Sequence, residues 1–399
     1  MLNKALHFLL RRCGKNLRVL SLSDIKPETH VIRVNERTFK IIGHHCKNLE
    51  ELHFTSMYLL NDHLHNMCQY IDLGKVRRID FCWSFAHYCC IHSGLLDIYE
   101  HCPVLESIDI SHSLNAQIRD VRELWPETLK EVYIDAAQAL TGYSLFSLSN
   151  CCPKLETFSM STNSNGMDAG LEYIIGRLIK LKRLMLCGFP GKPEIVPKIA
   201  QLSELVELKL GHSTLNNDNA ISLIVSSCPQ LSILHFSVAR NQDELRRSAN
   251  GFFTDAALVA IAQYCPNLSV LNVEGRNLIT DEGIAAVSKT GCLEKLYLDR
   301  CRLITNSGLQ TVGQYAVRLR HLSVINTGSI DIKGVRDCAQ QWFKHSRSYC
   351  LGIVVTDELA DQCSSQLREP LNYVGKSALD GTLTYIFEET VPRKTLHIW

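Results

Sequence analysis

The chain has 399 residues, 42 basic and 41 acidic, with a formal net charge of +1 at pH 7. That balance excludes a polyanion or an anionic membrane as the partner of the chain as a whole. No run of about 18 apolar residues occurs, so no membrane-spanning helix is expected, and a hydrophobic content of 46% suits a large packed core.

The first residues, MLNKALHFLLRRCGK, predict a helix that is apolar around much of its surface. It ends in Arg11-Arg12 and lacks a small-residue cleavage site, which argues against a signal peptide. It leads directly into a strand without the polar capping repeat that a solenoid needs at its end.

From Leu17 onward an L-x-x-L-x-L strand pattern recurs twelve times, beginning at Leu17, Leu49, Val76, Leu105, Leu129, Leu155, Leu181, Leu205, Leu231, Leu268, Leu293 and Leu319. Most intervals lie near about 26 residues, inside the window of leucine-rich repeats. The clearest copy runs from Cys265 to Gly291. Leu268, Leu271 and Val273 form its strand, and Thr280-Asp281-Glu282-Gly283 opens its helix. Thr254-Asp255, Thr305-Asn306, Met167-Asp168 and Asn217-Asp218 begin helices in the same way. Thr, Asp and Asn at these positions can accept bonds from the free N–H groups of a first helical turn. Pro103, Pro153, Pro229 and Pro266 end the helices and set the chain for the next strand.

Seventeen cysteines would suggest disulfides in a secreted chain. Their placement argues otherwise. Cys46, Cys102, Cys152, Cys228 and Cys265 each stand three residues before a strand motif, and Cys13 stands four before. A small apolar residue at a fixed repeat position is a packing residue, so reduced thiols and a cytoplasmic or nuclear location are expected.

Parallel strands joined by helices take right-handed crossovers. The expected fold is an α/β leucine-rich-repeat solenoid: a right-handed horseshoe of about twelve repeats, with parallel strands on the concave face and helices on the convex one. Residues 1–325 form the repeat domain and 326–399 a C-terminal cap or tail. In that tail Asp331–Phe343 reads as a last helix and Leu351–Val355 as a final strand. Three insertions, Asp24–Asn35, Trp83–Gly94 and Ala239–Gly251, all follow strands and are expected to project from one rim.

The pattern C-P-x-L-x-x-L-x-L followed by I-T-D-x-G-[IL], best seen at Cys265–Ile284 and Leu293–Leu309, resembles the repeats of F-box/LRR proteins. The resemblance covers roughly residues 1–325. It implies substrate recognition for an SCF-type ubiquitin ligase, without catalysis by the chain itself. The F-box that docks such proteins on the ligase adaptor is not found in this chain. Phe8–Leu17 is similar to the helix that enters the first repeat in that family, so an adaptor and a cullin are implied as partners only with an F-box upstream. The alternative is an F-box-independent scaffold or inhibitor of a protein partner.

The polar position between the last two apolar residues of each motif marks the concave surface. Candidate partner-binding residues there are His53, Asp80, Asp109, Tyr133, Met185, Lys209, His235, Asn272 and Tyr297, alongside Ser21, Ser159 and Ser323. The charges are mixed, which suits a protein or peptide better than nucleic acid or membrane. Arg246 and Arg247, in the charged third insertion, could clamp a partner at the rim. Cys82, His87, Cys89, Cys90, His92, His101 and Cys102 are metal-ligand types, but their spacing fits a zinc site poorly. Gly375-Lys376-Ser377 resembles the end of a phosphate-binding loop, yet Pro370 stands where that loop needs glycine. No metal or cofactor is therefore expected, and no motif argues for an enzyme.

Overall fold

The structure is a computed structural model. It describes residues 2–23, 34–57, 59–82, 84, 92–112, 125–135, 142–161, 167–188, 192–211, 213, 215–237, 253–346, 350–355, 373–376 and 383–388. The chain divides into two units, Met1–Glu204 and Leu205–Trp399.

In the first unit, seven strands follow one another in sequence order: β1 (Val19–Ser23), β2 (Glu51–Thr55), β3 (Arg78–Asp80), β4 (Ser107–Asp109), β5 (Glu131–Tyr133), β6 (Thr157–Ser161) and β7 (Arg183–Cys187). Each pairs parallel with the next. Between them run α1 (Leu2–Cys13, ahead of β1), α2 (Glu36–His45), α3 (Asn61–Tyr70), α4 (His92–His101), α5 (Gly142–Cys151) and α6 (Asp168–Arg177), with the short α7 (Val196–Ile199) after β7.

The second unit repeats the plan with β8 (Glu207–Gly211), β9 (Ile233–His235), β10 (Val270–Asn272), β11 (Lys295–Tyr297), β12 (His321–Ser323) and β13 (Cys350–Val355), all parallel. Its helices are α8 (Asp218–Ser227), α9 (Asp255–Tyr264), α10 (Asp281–Ser288), α11 (Asn306–Tyr315) and α12 (Ile332–His345). The last helix and strand of the sequence reading are α12 and β13, so the repeat pattern continues past residue 325. The parallel series then ends. β14 (Tyr373–Lys376) pairs β15 (Leu383–Glu388), and β15 runs antiparallel to β13. Among the described residues no helix is long and apolar enough to cross a membrane.

The motif leucines form the core. Leu105, Ile108 and Ile110 in one repeat, and Leu268, Leu271 and Val273 in another, are wholly buried. Each such side chain stabilises the fold by about 1.5–3 kcal/mol. The repeat cysteines fill the corner between helix and strand. Cys265 is fully buried; its N–H closes α9 on Ile261 O at 2.9 Å, and its carbonyl accepts from Leu268 N at 3.2 Å. Cys102, Cys152 and Cys228 make the same two bonds. At the first repeat Cys13 is exposed instead. Gly14 takes the corner, and an added Cβ there would come within 2.9 Å of His45.

Two sets of hydrogen bonds tie some of the repeats to their neighbours. At the helix starts, Asp218 Oδ1 and Oδ2 accept from the backbone N–H and hydroxyl of Thr254, at 2.8 and 2.7 Å. Asp255 does the same for Thr280, and Asp281 for Thr305. Below the strands, a buried side chain three residues after the last motif residue donates to a carbonyl of the preceding repeat. Ser84 donates to Phe54 O, Arg276 Nε to Phe236 O at 2.7 Å, Cys301 to Val273 O at 3.2 Å and Thr327 to Leu298 O at 3.0 Å.

Candidate functional site

Parallel pairing in perfect register lines up the residues that the sequence singled out. In the first unit one row across the sheet reads Ser21, His53, Asp80, Asp109, Tyr133, Ser159, Met185. In the second it reads Lys209, His235, Asn272, Tyr297, Ser323. The strand alternation sends their flanking leucines into the core, so this row stands on the open face. The helices cover the other face. Arg246 and Arg247 lie outside the described residues, as do most of the three insertions.

A shallow depression of about 110 Å3 opens on the first unit's face, lined by His53, Arg78, Ile79, Asp80, Ser107, Asp109 and Tyr133. His53 is held between two carboxylates, with Nδ1 3.3 Å from Asp80 Oδ2 and Nε2 3.2 Å from Glu51 Oε2. Asp80 Oδ1 accepts from Cys82 N and Asp109 Oδ1 from Ser111 N, each at 2.8 Å. These carboxylates therefore cap the chain as it leaves the strand; Asn272 caps Glu274 N at 2.9 Å in the second unit. Burial pushes the Asp109 carboxyl above its ordinary range. The Ser111 hydroxyl and N–H oppose the shift, and the charges of Asp80 and Asp135 add to it. Burial likewise raises the Tyr133 phenol, with Glu131 acting in the same direction.

The neighbouring row carries a network that the sequence reading missed. Glu131 Oε2 accepts from Arg78 Nη2 at 2.8 Å and from the Ser107 hydroxyl at 3.1 Å. Its Oε1 accepts from Arg183 Nη2 at 2.5 Å, while Arg183 Nε donates to the Thr157 hydroxyl at 2.8 Å. One carboxylate thus fixes two guanidiniums that start two strands away on either side. The alternation Glu51, Arg78, Glu131, Arg183, two residues before the chosen row, was the available signal.

The second unit's face is less charged. Tyr297 and His321 rings lie 5.0 Å apart, tilted by 46°. Burial, then Lys209, lowers the His235 pKa; burial, then Lys295, lowers that of His321. Asp299 Oδ1 accepts from the Ser323 hydroxyl at 2.6 Å and from Ile325 N at 2.7 Å.

Of the metal-type cluster, Cys102 is a core corner residue and His101 Nδ1 contacts Asp97 O at 2.7 Å. His87, Cys89 and Cys90 lie outside the described residues, among which no group of three ligand-type side chains could hold a metal ion.

No protein-family model matches the chain. It is 23% identical over 346 residues to EEED8.10, a Caenorhabditis elegans protein to which RNA binding has been ascribed; the match covers 84% of this chain and 43% of that protein. It is 26% identical over 192 residues to the DNA repair protein rhp7 of Schizosaccharomyces pombe, covering 46% and 32%. The chain thus spans less than half the length of these relatives. Among solved structures, a chain in the crystal structure of the yeast Rad7 and Elc1 complex matches with a TM-score of 0.60 and 16% identity, over 84% of each chain. At that identity the likeness is one of fold, and the fold is the α/β leucine-rich-repeat solenoid that the repeats predicted.

Proposed function

We propose that the chain is a non-catalytic binding subunit that presents a protein target to an SCF-type ubiquitin ligase, holding it on the open strand face. The observation that carries the binding role is the Glu131 network beside the His53–Asp80–Asp109–Tyr133 depression. Polar side chains fixed in advance lose little freedom on binding, and tyrosine and arginine are among the side chains enriched at interface hot spots. Carboxylates of Glu51, Asp80, Asp109, Glu131 and Asp135 outnumber the guanidiniums of Arg78 and Arg183 on this face. That balance favours a protein over RNA or DNA, whose phosphates need a basic surface. The ligase role is supported by the resemblance of the I-T-D-x-G repeats to F-box/LRR proteins and by the shared fold with a chain crystallised in a two-protein complex. Free thiols at the buried repeat positions support a cytoplasmic or nuclear site of action. Within residues 326–399, β15 would serve as the terminal cap, since it pairs antiparallel with the last parallel strand, β13.

The test is quantitative mass spectrometry of proteins that co-purify with the tagged full-length protein from its own cells, for wild type, Tyr133→Ala and Met185→Ala. Cullin and adaptor should be present with all three, and one target should be lost from the two variants. Absence of cullin and adaptor from the wild type would sink the ligase reading and leave an F-box-independent scaffold or inhibitor. Unchanged targets in both variants would remove the strand face from the account.

A further inference from the structure

We propose that the outer face of α1 is a second docking surface, which takes an acidic amphipathic helix of a partner protein. It does not depend on what the strand face binds. α1 buries Leu6 and Leu10 against α2, and on its other side Phe8 and Leu9 are each 57% exposed. Neighbours in sequence point about 100° apart on a helix, so Phe8 and Leu9 are two separate apolar contacts set among charged side chains rather than one patch.

The charge around these contacts says what the partner carries. Residues 2–23 contain Lys4, Arg11, Arg12, Lys15 and Arg18, and neither Asp nor Glu. Arg18 is paired with Glu50 at 3.1 Å. Lys4, Arg11, Arg12 and Lys15 are exposed and have no carboxylate partner among the described residues. Arg12 lies over the Phe8 ring, 4.5 Å from its centroid. Beside it on α2 the His44 and His45 rings lie 4.6 Å apart, and His7 reaches His45 at 5.0 Å. Burial first, then the charges of His44, His7 and Arg11, lowers the His45 pKa. At the other end of α2, Glu36, the one carboxylate of that helix, is taken up by Lys40 and by the Tyr70 hydroxyl.

Lys4, Phe8 and Arg11 or Arg12 recur every three to four residues, so they form one stripe along α1, and Lys15 follows just beyond its end. A straight partner helix with carboxylates at the same spacing and one or two apolar anchors matches the stripe along its length. A nucleic acid would leave Phe8 and Leu9 unsatisfied. A membrane needs a broad apolar face on the helix, and here Leu6 and Leu10 are already committed to α2.

The test places a photocrosslinking amino acid at exposed Ala5 in the full-length protein, in cells, and maps the adduct by mass spectrometry. The expected result is one dominant heterologous adduct in a helical segment with acidic residues three or four apart. That segment, made as a peptide, should bind the purified protein. Binding should weaken about tenfold or more with Leu9→Glu and with Arg11→Glu/Arg12→Glu. A Lys-for-Glu version of the peptide should bind the double charge variant better than the wild type. All three altered side chains are exposed, so an unchanged melting curve separates lost docking from lost folding. Adducts to a second copy of the chain, to its own preceding segment, to lipid, to nucleic acid or to a segment without acidic residues would overturn the proposal, as would the absence of a dominant adduct.

Discussion

Asp255 holds both donors of Thr280: Oδ1 accepts the backbone N–H at 2.9 Å and Oδ2 the hydroxyl at 2.6 Å. Thr280 in turn caps its own helix, its hydroxyl accepting from Glu282 N at 3.2 Å. The I-T-D-x-G run is therefore two devices in one. Threonine caps, aspartate grips the next repeat's threonine, and glycine leaves room for the incoming carboxylate.

That room is testable. A Cβ on Gly283 would overlap Asp255 Oδ1 and meet Leu258 Cδ1 at 2.8 Å; one on Gly308 would overlap Asp281 Oδ1. Gly→Ala inside a helix ordinarily gains up to about 1 kcal/mol. Gly283→Ala and Gly308→Ala should instead cost about 1–3 kcal/mol, because the overlap forces the inter-repeat bonds apart. Asp255→Ala, which strands the Thr280 donors, should cost a similar amount, about 1–3 kcal/mol. Urea midpoints measure both. In a repeat protein, nearest-neighbour coupling should also place the fastest new hydrogen exchange in α9 and α10. A neutral or stabilised Gly283→Ala would mean that these bonds are not under packing constraint.

Twelve strands were legible because a period of about 26 residues repeats the same apolar spacing until chance is excluded. The helix caps were legible too, since Thr254, Thr280 and Thr305 stand where a first turn needs an acceptor. What Asp255 and Asp281 do was not. Their partners lie 25 and 24 residues on, and only the parallel register shows that they meet. The Glu131 network was hidden for the same reason, because it joins residues 53 and 52 positions apart. Reading a single polar position per strand also left out the row that carries it.

The buried thiols predict a loss of stability in alkali. Burial pushes Cys46 and Cys228 up to about 11 and Cys265 up to about 12. In the unfolded chain these thiols titrate near about 8.5. Between those values the unfolded state has released its protons and the folded state has not, so the slope of stability with pH is negative. The contribution is complete below about pH 8.5 and is lost progressively as pH rises toward 11 and 12. Thermal melts at stepped pH should fall from about pH 8.5 upward, and Cys228→Ala/Cys265→Ala should fall less steeply. A parallel fall in wild type and variant would assign the alkaline loss elsewhere. In mass-resolved alkylation of the native protein, exposed Cys13 should react well before Cys265.

Thr327→Val probes the second set of inter-repeat bonds with little change of shape. Thr327 is 6% exposed and donates to Leu298 O at 3.0 Å. Removing the hydroxyl takes one of two donors from that carbonyl, which keeps Cys301 N at 3.1 Å, at a cost of about 0.5–1.5 kcal/mol. Thr311→Val, whose hydroxyl bonds Ser307 O on an exposed helix face at 3.1 Å, should stay within about 0.5 kcal/mol. Equal urea midpoints for the two variants would show that the buried bond adds nothing beyond an ordinary surface bond.

Glu131→Gln separates the charge of the network from its shape. The Glu131 side chain is 15% exposed, against 42% for Arg78 and 43% for Arg183. Either arginine alone can turn to water, so Arg78→Ala and Arg183→Ala should each cost less than about 1 kcal/mol. Losing the carboxylate is different, because it leaves two guanidiniums converging on a neutral amide, and about 1–2 kcal/mol should follow. The coupling between Glu131→Gln and Arg183→Ala, read from a double-mutant cycle in urea, should exceed about 0.5 kcal/mol. Because Arg78 also lines the depression, Glu131→Gln should weaken target binding as well, in step with the freeing of Arg78. A variant that keeps full binding and full stability would show that the bridge is an incidental surface ion pair and that the face does not depend on its pre-set geometry.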